Sequence, residues 1–436
     1  MKNNAYILDK TKTALIILLI VSAVYLLTKA VFFEPGSMLD SVRNLFAAPV
    51  GELADTETAE LSLPHALPAY IAVSTGDSLH YAEKYDNQEK EKLYSMFSAS
   101  LGEALGSSGK PVQVSENDWR NALSENGVFL DYIYPQSLSG IAEWLGTDIS
   151  PTLSSATSRR LCLSASALKM SLYYIDSETG NFYRCDTALS SSSTASKFTE
   201  YTMGSAYFAF ENAELTDFDP YFLISGKSIA LAAVSGANPI RDDASNESFI
   251  NSFGLNSRVS YEYSENDGSV VFVDGGKILR IFKNGSLSFS ASDDGVSIPF
   301  SGPQLTLNDC IAKTNAIVQS TLGLLCGQAQ VVLSKISGSS PDSCAISYSY
   351  IINGIPVELG SGAYAAEFQI NKGRIVSSGM VFRQYTPSEQ LLLPLPEKQA
   401  IAAAAAEKGG EPVLVYMDNS TALDAEWIIF NHKQEK

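Results

Sequence analysis

Residues 14–33, ALIILLIVSAVYLLTKAVFF, run for 20 positions with one charge, Lys29. About 20 apolar residues match the hydrocarbon core of a bilayer. Lys10 and Lys12 precede the run, which places the N-terminus inside by the positive-inside rule. Lys29, near the outer end, can extend its ammonium to the interface. A cleaved signal peptide is the rival reading, but its apolar core spans only ~7–15 residues and ends in a small-x-small site. The segment after Lys29, AVFFEPGS, offers no such site and no lipobox cysteine. The expectation is a single-pass type II protein of the cell membrane: a cytoplasmic N-terminus over 1–12, an uncleaved anchor over 13–33 and a juxtamembrane linker over 34–65. No other segment is long and apolar enough to span, so the remainder is expected outside the cytoplasm.

Helices in lipid associate through small and polar residues, because apolar burial drives nothing there. Ser22, Ala23 and Ala30 are such positions, and Ala23 and Ala30, one heptad apart, share a face. Tyr25 can hydrogen-bond across a helix contact or sit in an interfacial belt.

The chain carries a net charge of −18. Four lysines against Asp9 give the first 33 residues +3, so the other 403 carry −21. So acidic a body is a poor match for nucleic acid. With 45% hydrophobic and 18% charged residues it can bury cores and is not disordered. The five cysteines, Cys162, Cys185, Cys310, Cys326 and Cys344, show no C-x₂-C spacing. Buried free thiols are the expectation, with a Cys162–Cys185 bridge as the alternative.

The pattern predicts an α+β protein in three parts. In 66–226, short helices and strands mix. Leu93, Met96, Phe97, Leu101, Ala104 and Leu105 recur at helical spacing. Ser115 and Asp118 form a capping-box pattern, and Gly127 reads as the stop of that helix. VFLDYIY, RRLCLSAS, KMSLYYID and NFYRCDT read as strands. In 227–303, four strands separated by Asn266-Asp267-Gly268, Gly275-Gly276 and Asn284-Gly285 read as a β-meander. In 304–436, Thr306 and Asp309 cap a long apolar stripe from Leu307 to Leu325, followed by antiparallel strands. The expected form is a long helix packed on a curved antiparallel sheet.

Within that last part, ISYSYIINGIPVEL (346–359) alternates up to Ile352, turns at Asn353-Gly354 and then meets Pro356. Asn-Gly tolerates the positive φ of a tight hairpin. A proline next to it belongs at a sheet edge or a bulge.

No catalytic signature survives inspection. His65, His80 and His432 are too few and scattered for a metal site, and only His80 falls in a folded part, where a surface or hydrogen-bonded role is expected. Ser166–Lys169 matches S-x-x-K, but the partner motifs K-T-G and S-D-N are absent and the context reads as strand. Gly109-Lys110 is followed by Pro111 and makes no phosphate loop. Asp217 with Asp219, and Asp293 with Asp294, imitate carboxylate pairs in turn-like sequence. No catalytic residue, metal or cofactor is expected.

The anchor DKTKTALIILLIVSAVYLL, then SYEYSENDGSVVFVDGGKILRIFKNGSLSF, then SYSYIINGIPVEL with GRIVSSGMVFRQY, resembles the YycH/YycI family. The likeness covers the anchor and roughly 220–430, with NDWRNAL and VFLDYIYP extending it into the first part. The length fits the YycH branch. The resemblance implies a non-enzymatic extracytoplasmic regulator of the sensor kinase WalK (YycG), which controls cell-wall metabolism in Firmicutes. It implies contacts with that membrane-embedded histidine kinase and with a paralogous YycI- or YycH-like protein. It also implies that the strand through Pro356 bends across the long helix and presents an edge. Partner contacts are therefore expected at Ser22, Ala23, Tyr25, Ala30, Asn353, Gly354 and Pro356, with packing of a curved sheet as the other reading of the last three. The third part also resembles PepSY propeptide domains, so a peptide- or wall-polymer-binding module without a kinase partner is the alternative.

Overall fold

The computed structural model describes residues 67–430, except 77–79, 166–167, 199–200, 202–203, 205, 228, 241–245, 257–259, 293–294, 301, 405–409 and 420. The expected anchor and linker, with Ser22, Ala23, Tyr25, Ala30 and His65, lie outside the described residues, as do His432 and the Asp293-Asp294 pair. Among the described residues no helix is long and apolar enough to cross a membrane.

Two large sheets organise a mixed α+β body. The first contains β1 (Tyr70–Thr75), β2 (His80–Glu83), β3 (Val112–Val114), β4 (Asn126–Ser137), β5 (Thr157–Ala165), β6 (Lys169–Asp176), β7 (Phe182–Ser190), β8 (Ala206–Phe208) and β9 (Leu223–Ser225). All pairs are antiparallel, in the order β3-β7-β6-β5-β4-β1-β2-β8-β9. Its central strands are apolar on both faces, as the alternation of side chains requires for a sheet covered twice. Ile71, Val73, Val128 and Leu130 face a core shared with α1 (Asn87–Ser107). Tyr70, Ala72, Phe129 and Cys162 face the opposite core, with Trp119, Ala122 and Leu123 of α2 (Glu116–Ser124). Asp86 caps α1, accepting from the backbone N–H of Gln88 and Glu89 at 3.0 and 3.2 Å. The Ser115/Asp118 capping box forms as its spacing predicts.

Gly127 has a different role from the one expected. Helix α2 ends at Ser124, and Gly127 lies in β4, paired with Ser74 and Ser164. A Cβ there would come within 2.8 Å of the Leu163 carbonyl oxygen. The glycine is required by strand approach, not by helix termination. Helices α3 (Leu138–Trp144) and α4 (Ser191–Phe198) complete this region.

The second sheet holds β10 (Leu231–Ala237), β11 (Tyr261–Ser264), β12 (Val270–Asp274), β13 (Lys277–Ile281), β14 (Ser286–Ala291), β15 (Val296–Ser297), β16 (Gln330–Ser340) and β17 (Ser343–Ile352). It continues with β18 (Ile355–Leu359), β19 (Ala366–Asn371), β20 (Arg374–Val381), β21 (Gln384–Leu392), β22 (Glu411–Asp418) and β23 (Ala422–Phe430). Its order is β11-β12-β13-β14-β20-β19-β17-β18-β22-β23-β10-β21, with β15 on β20 and β16 on β17. The meander β11–β14 forms as its turns predict and pairs through β14 with β20. Helices α5 (Glu247–Ser252) and α6 (Leu307–Ser320) pack on this sheet, and α7 (Glu397–Ala404) lies against both β22 and β9, with Ile401 in a core shared with Phe218, Phe222 and Ile224.

The capping box of Thr306 and Asp309 starts α6, and Cys310, Ile311, Thr314, Ile317 and Val318 are buried. The Thr314 and Tyr348 hydroxyls meet at 2.8 Å, fixing α6 on β17. The helix stops at Ser320, before the apolar stripe does, and Leu322 continues into the core from outside the helix.

All five cysteines are free and buried. Cys162 and Cys185 belong to cores on opposite faces of the first sheet, which excludes the alternative bridge. Burial pushes the Cys185 thiol up to about 12. An aromatic disulfide reagent is therefore expected to label no cysteine rapidly in the folded chain and all five in denaturant without reductant. A count of three in denaturant overturns this assignment.

Candidate functional site

Strand β4 is long, and its pairing with β5 breaks register between Asp131 and Gln136. Within the break Ile133 has φ of +62°. A β-branched side chain in the left-handed region is strained, and such strain persists only where its surroundings enforce it. The Asp131 carboxylate contributes, accepting the Ile133 N–H at 2.8 Å. The break has two consequences, one on each side of the strand.

The first is a buried ion network. Successive strand residues normally point to opposite faces. Arg159 and Arg160 nevertheless both reach Asp131, because β5 also shifts register against β6 between Ser158 and Leu161. Arg159 binds Asp131 with two parallel bonds of 2.6 and 2.9 Å and Glu411 of β22 at 2.6 Å. Arg160 binds Asp131 at 2.8 Å, Asp219 at 2.7 Å and Glu411 at 3.1 Å. Burial alone would push the Asp131 carboxyl up, but the two guanidiniums outweigh it and hold it below the usual carboxylate range. Arg159 and Glu411 are 252 residues apart, so the network joins the two sheets. A second buried pair does the same. Lys84 donates to Glu397 of α7 at 2.6 Å and to the Leu223 carbonyl at 2.7 Å, and Glu397 accepts the Ser225 N–H at 2.6 Å.

The second consequence is a cleft of about 80 Å³ between β4 and β16. On one side it is lined by Leu67, Ala69, Lys90, Tyr132, Gln136 and Trp144, and on the other by Gln330, Val332, Leu333, Ile351 and Gly354. By the space one water needs, it has room for on the order of six waters, or for a molecule the size of an amino-acid residue.

Lys90 is 1% exposed. Its ammonium donates to the Ala69 carbonyl at 3.1 Å and the Lys84 carbonyl at 3.4 Å, leaving one of its three donors unspent among the described residues. Unlike Lys84 it has no carboxylate partner among the described residues. Burial, opposed by the more distant Glu91, Asp86 and Glu83, lowers its pKa to about 8. Gln136 is 3% exposed and Trp144 9%. Gln136 Oε1 and Trp144 Nε1 have no hydrogen-bond partner among the described residues. A buried polar atom left without a partner costs about 1–3 kcal/mol.

The Asn-Gly hairpin borders this cleft. Asn353 and Gly354 have φ of +50° and +77°, as a two-residue turn of mirror-image type requires. Gly354 lines the cleft and Asn353 is exposed. Strand β18 is not an edge: it lies between β17 and β22. Ile352 and Ile355 close the turn, and Pro356 faces Ile351. In such a hairpin the pair beyond the closing pair exchanges no hydrogen bonds, so the Pro356 nitrogen faces the other side. Pairing there with β22, in parallel, begins only at Val357. The proline is buried where no ladder donor is needed.

The remaining sequence candidates have structural roles. His80 is buried, with Nδ1 at 2.7 Å from Ser74 Oγ and Nε2 at 3.0 Å from Glu211. Asp219 serves Arg160. Lys169 starts β6, and Ser166 lies outside the described residues. Among the described residues no three His, Cys, Asp or Glu side chains gather into a metal-sized cluster.

No family model and no curated protein matches the chain in sequence. In structure it matches YycH from Bacillus subtilis, with a TM-score of 0.56 over 85% of this chain and 97% of that one, at 12% identity. The fold is YycH-like. Neither sheet region alone amounts to 85% of the chain, so the likeness to YycH includes both sheets. It therefore reaches well into residues 66–226, where the sequence resemblance rested on two short stretches. At 12% identity the likeness to YycH concerns the backbone and assigns no side chain a role.

Proposed function

We propose that the chain is a non-enzymatic, membrane-anchored extracytoplasmic regulator of a sensor histidine kinase of the WalK/YycG type. The YycH-like fold over 85% of the chain carries this reading. The apolar run 14–33 and the failure of every catalytic motif agree with it. In this reading residues 14–33 lie in the bilayer and contact the kinase's own helices, with Ser22, Ala23, Tyr25 and Ala30 on the contact face. The kinase's extracytoplasmic part, or a paralogous YycI- or YycH-like protein, meets the body near the exposed Asn353, while Gly354 and Pro356 shape the hairpin beneath.

Ala23→Leu with Ala30→Leu is expected to reduce in-membrane crosslinking to the kinase while leaving insertion intact, since leucine is at least as apolar as alanine. The decisive comparison replaces residues 14–33 with an unrelated leucine-rich span and reads a kinase-dependent reporter at equal abundance. Loss of regulation is the expected result. Regulation at the original level would reduce the segment to an anchor and leave signalling to contacts between ectodomains. Absence of the kinase from every crosslink favours the peptide- or polymer-binding alternative, which the cleft supports.

A further inference from the structure

We propose that the cleft between β4 and β16 binds the carboxylate end of a small amide-bearing ligand, of the kind a peptide C-terminus presents. The inference stands apart from the kinase reading, because it rests on the lining residues alone. Among the described residues four polar groups on the cleft's lining residues are unspent, the Tyr132 hydroxyl and three that the proposal uses: one N–H of the Lys90 ammonium, the Trp144 indole N–H and the Gln136 carbonyl oxygen. Each belongs to a side chain at least nine-tenths buried. Folding thus leaves a cation, a neutral donor and an acceptor without partners on side chains that line one cleft; the last two atoms have almost no accessible surface, so an occupant reaches them only as those side chains turn toward it.

Their chemistry specifies the occupant. A single cation that no carboxylate among the described residues bonds, with Glu91, Asp86 and Glu83 acting only from farther off, matches one negative charge. A phosphate carries more than one negative charge and would call for a second cation or a helix N-terminus, and among the described lining residues Lys90 is the one cation. Gln136 Oε1 accepts and so asks for an N–H, which an amide beside the carboxylate supplies. Trp144 Nε1–H donates to a second oxygen. The rest of the wall, Leu67, Ile133, Val332, Leu333 and Ile351, suits a short apolar side chain. The strained Ile133 belongs to the same wall, and its φ sets the course of the backbone that carries Tyr132 and Gln136.

Leu67, Pro68 and Ala69 line the cleft, and Ala69 is also a partner of Lys90. An occupant would therefore touch the segment that leads back toward residues 14–33.

The test is isothermal titration of the full chain in detergent micelles with N-acetylalanine, N-acetylalanine amide and the tripeptide N-acetyl-Ala-Ala-Ala. Saturable binding of N-acetylalanine is expected, about tenfold or more weakened in its amide, because a charged hydrogen-bond partner is lost. Lys90→Met is expected to remove the difference between acid and amide. Lys90→Gln, which keeps donors for the Ala69 and Lys84 carbonyls, does the same if the methionine variant fails to fold. Trp144→Phe and Gln136→Leu are each expected to weaken the acid severalfold. Tripeptide binding at least equal to that of N-acetylalanine assigns the site to peptide ends; binding of N-acetylalanine alone assigns it to free small carboxylates. Equal binding of acid and amide, no saturable binding of either, or an unchanged Lys90→Gln variant overturns the proposal.

Discussion

Glu411→Ala is expected to destabilise the folded chain by about 3–5 kcal/mol, the cost of removing one partner from a buried ion pair. Glu411 is fully buried and accepts from both Arg159 and Arg160. Without it, two adjacent buried guanidiniums share Asp131 and the half-buried Asp219, and their mutual repulsion loses its counterweight. Asp219→Ala is the internal control. Its carboxylate is 23% exposed, water can replace it, and the loss should be nearer 1 kcal/mol. Urea denaturation followed by near-UV circular dichroism measures both. A Glu411→Ala loss below about 1 kcal/mol would show that the network holds no stability between the sheets. The pH dependence has a definite sign. Asp131 is depressed in the fold, so its contribution is complete above its ordinary value of 3.8 and is lost as pH falls from there through the folded pKa.

The second large effect has the opposite sign in pH. Lys90 is lowered from 10.5 to about 8 in the fold. Between those values the unfolded chain holds a proton that the folded chain has released, so stability rises with pH across this window. The gain should total roughly 2–3 kcal/mol. Buried tyrosines such as Tyr132, whose phenol burial pushes upward, act against this above pH 10. The measurement is therefore the difference between the original chain and Lys90→Met at pH 7, 8, 9 and 10. The difference should shift steadily in favour of the original chain. Parallel curves would mean that Lys90 is solvated, and the cleft would lose its buried charge.

Local structure was largely readable from the residues. The Ser115/Asp118 and Thr306/Asp309 boxes act within one turn of helix, and the meander follows from its turn dipeptides. Asn353-Gly354 makes its turn because both residues reach positive φ. What escaped is long-range. The parallel pairing of β18 with β22 joins residues about 60 apart, and no periodicity in either strand marks it. Pro356 therefore looked like an edge residue, although β22 covers the strand just beyond it. The site was less legible still. Lys84 and Lys90 look alike in sequence, yet one has Glu397 as its partner and the other only carbonyls. The strain at Ile133 leaves no trace in residue type, since isoleucine is among the last residues expected at positive φ.

The packing of β22 and β23 against the first sheet bears on how such a chain is made. Val413, Val415, Ile428 and Phe430 share a core with Phe129, Ile133 and Cys162, and the Phe430 ring meets Tyr134 at 6.3 Å. A chain synthesised from its N-terminus exposes one apolar face of the early strands long before the late hairpin exists to cover it. Closing that contact spans about 300 residues, the kind of separation that slows folding and prolongs exposure to aggregation. Burial of this face of the first sheet therefore waits on the last two strands, which makes their docking a late step in folding.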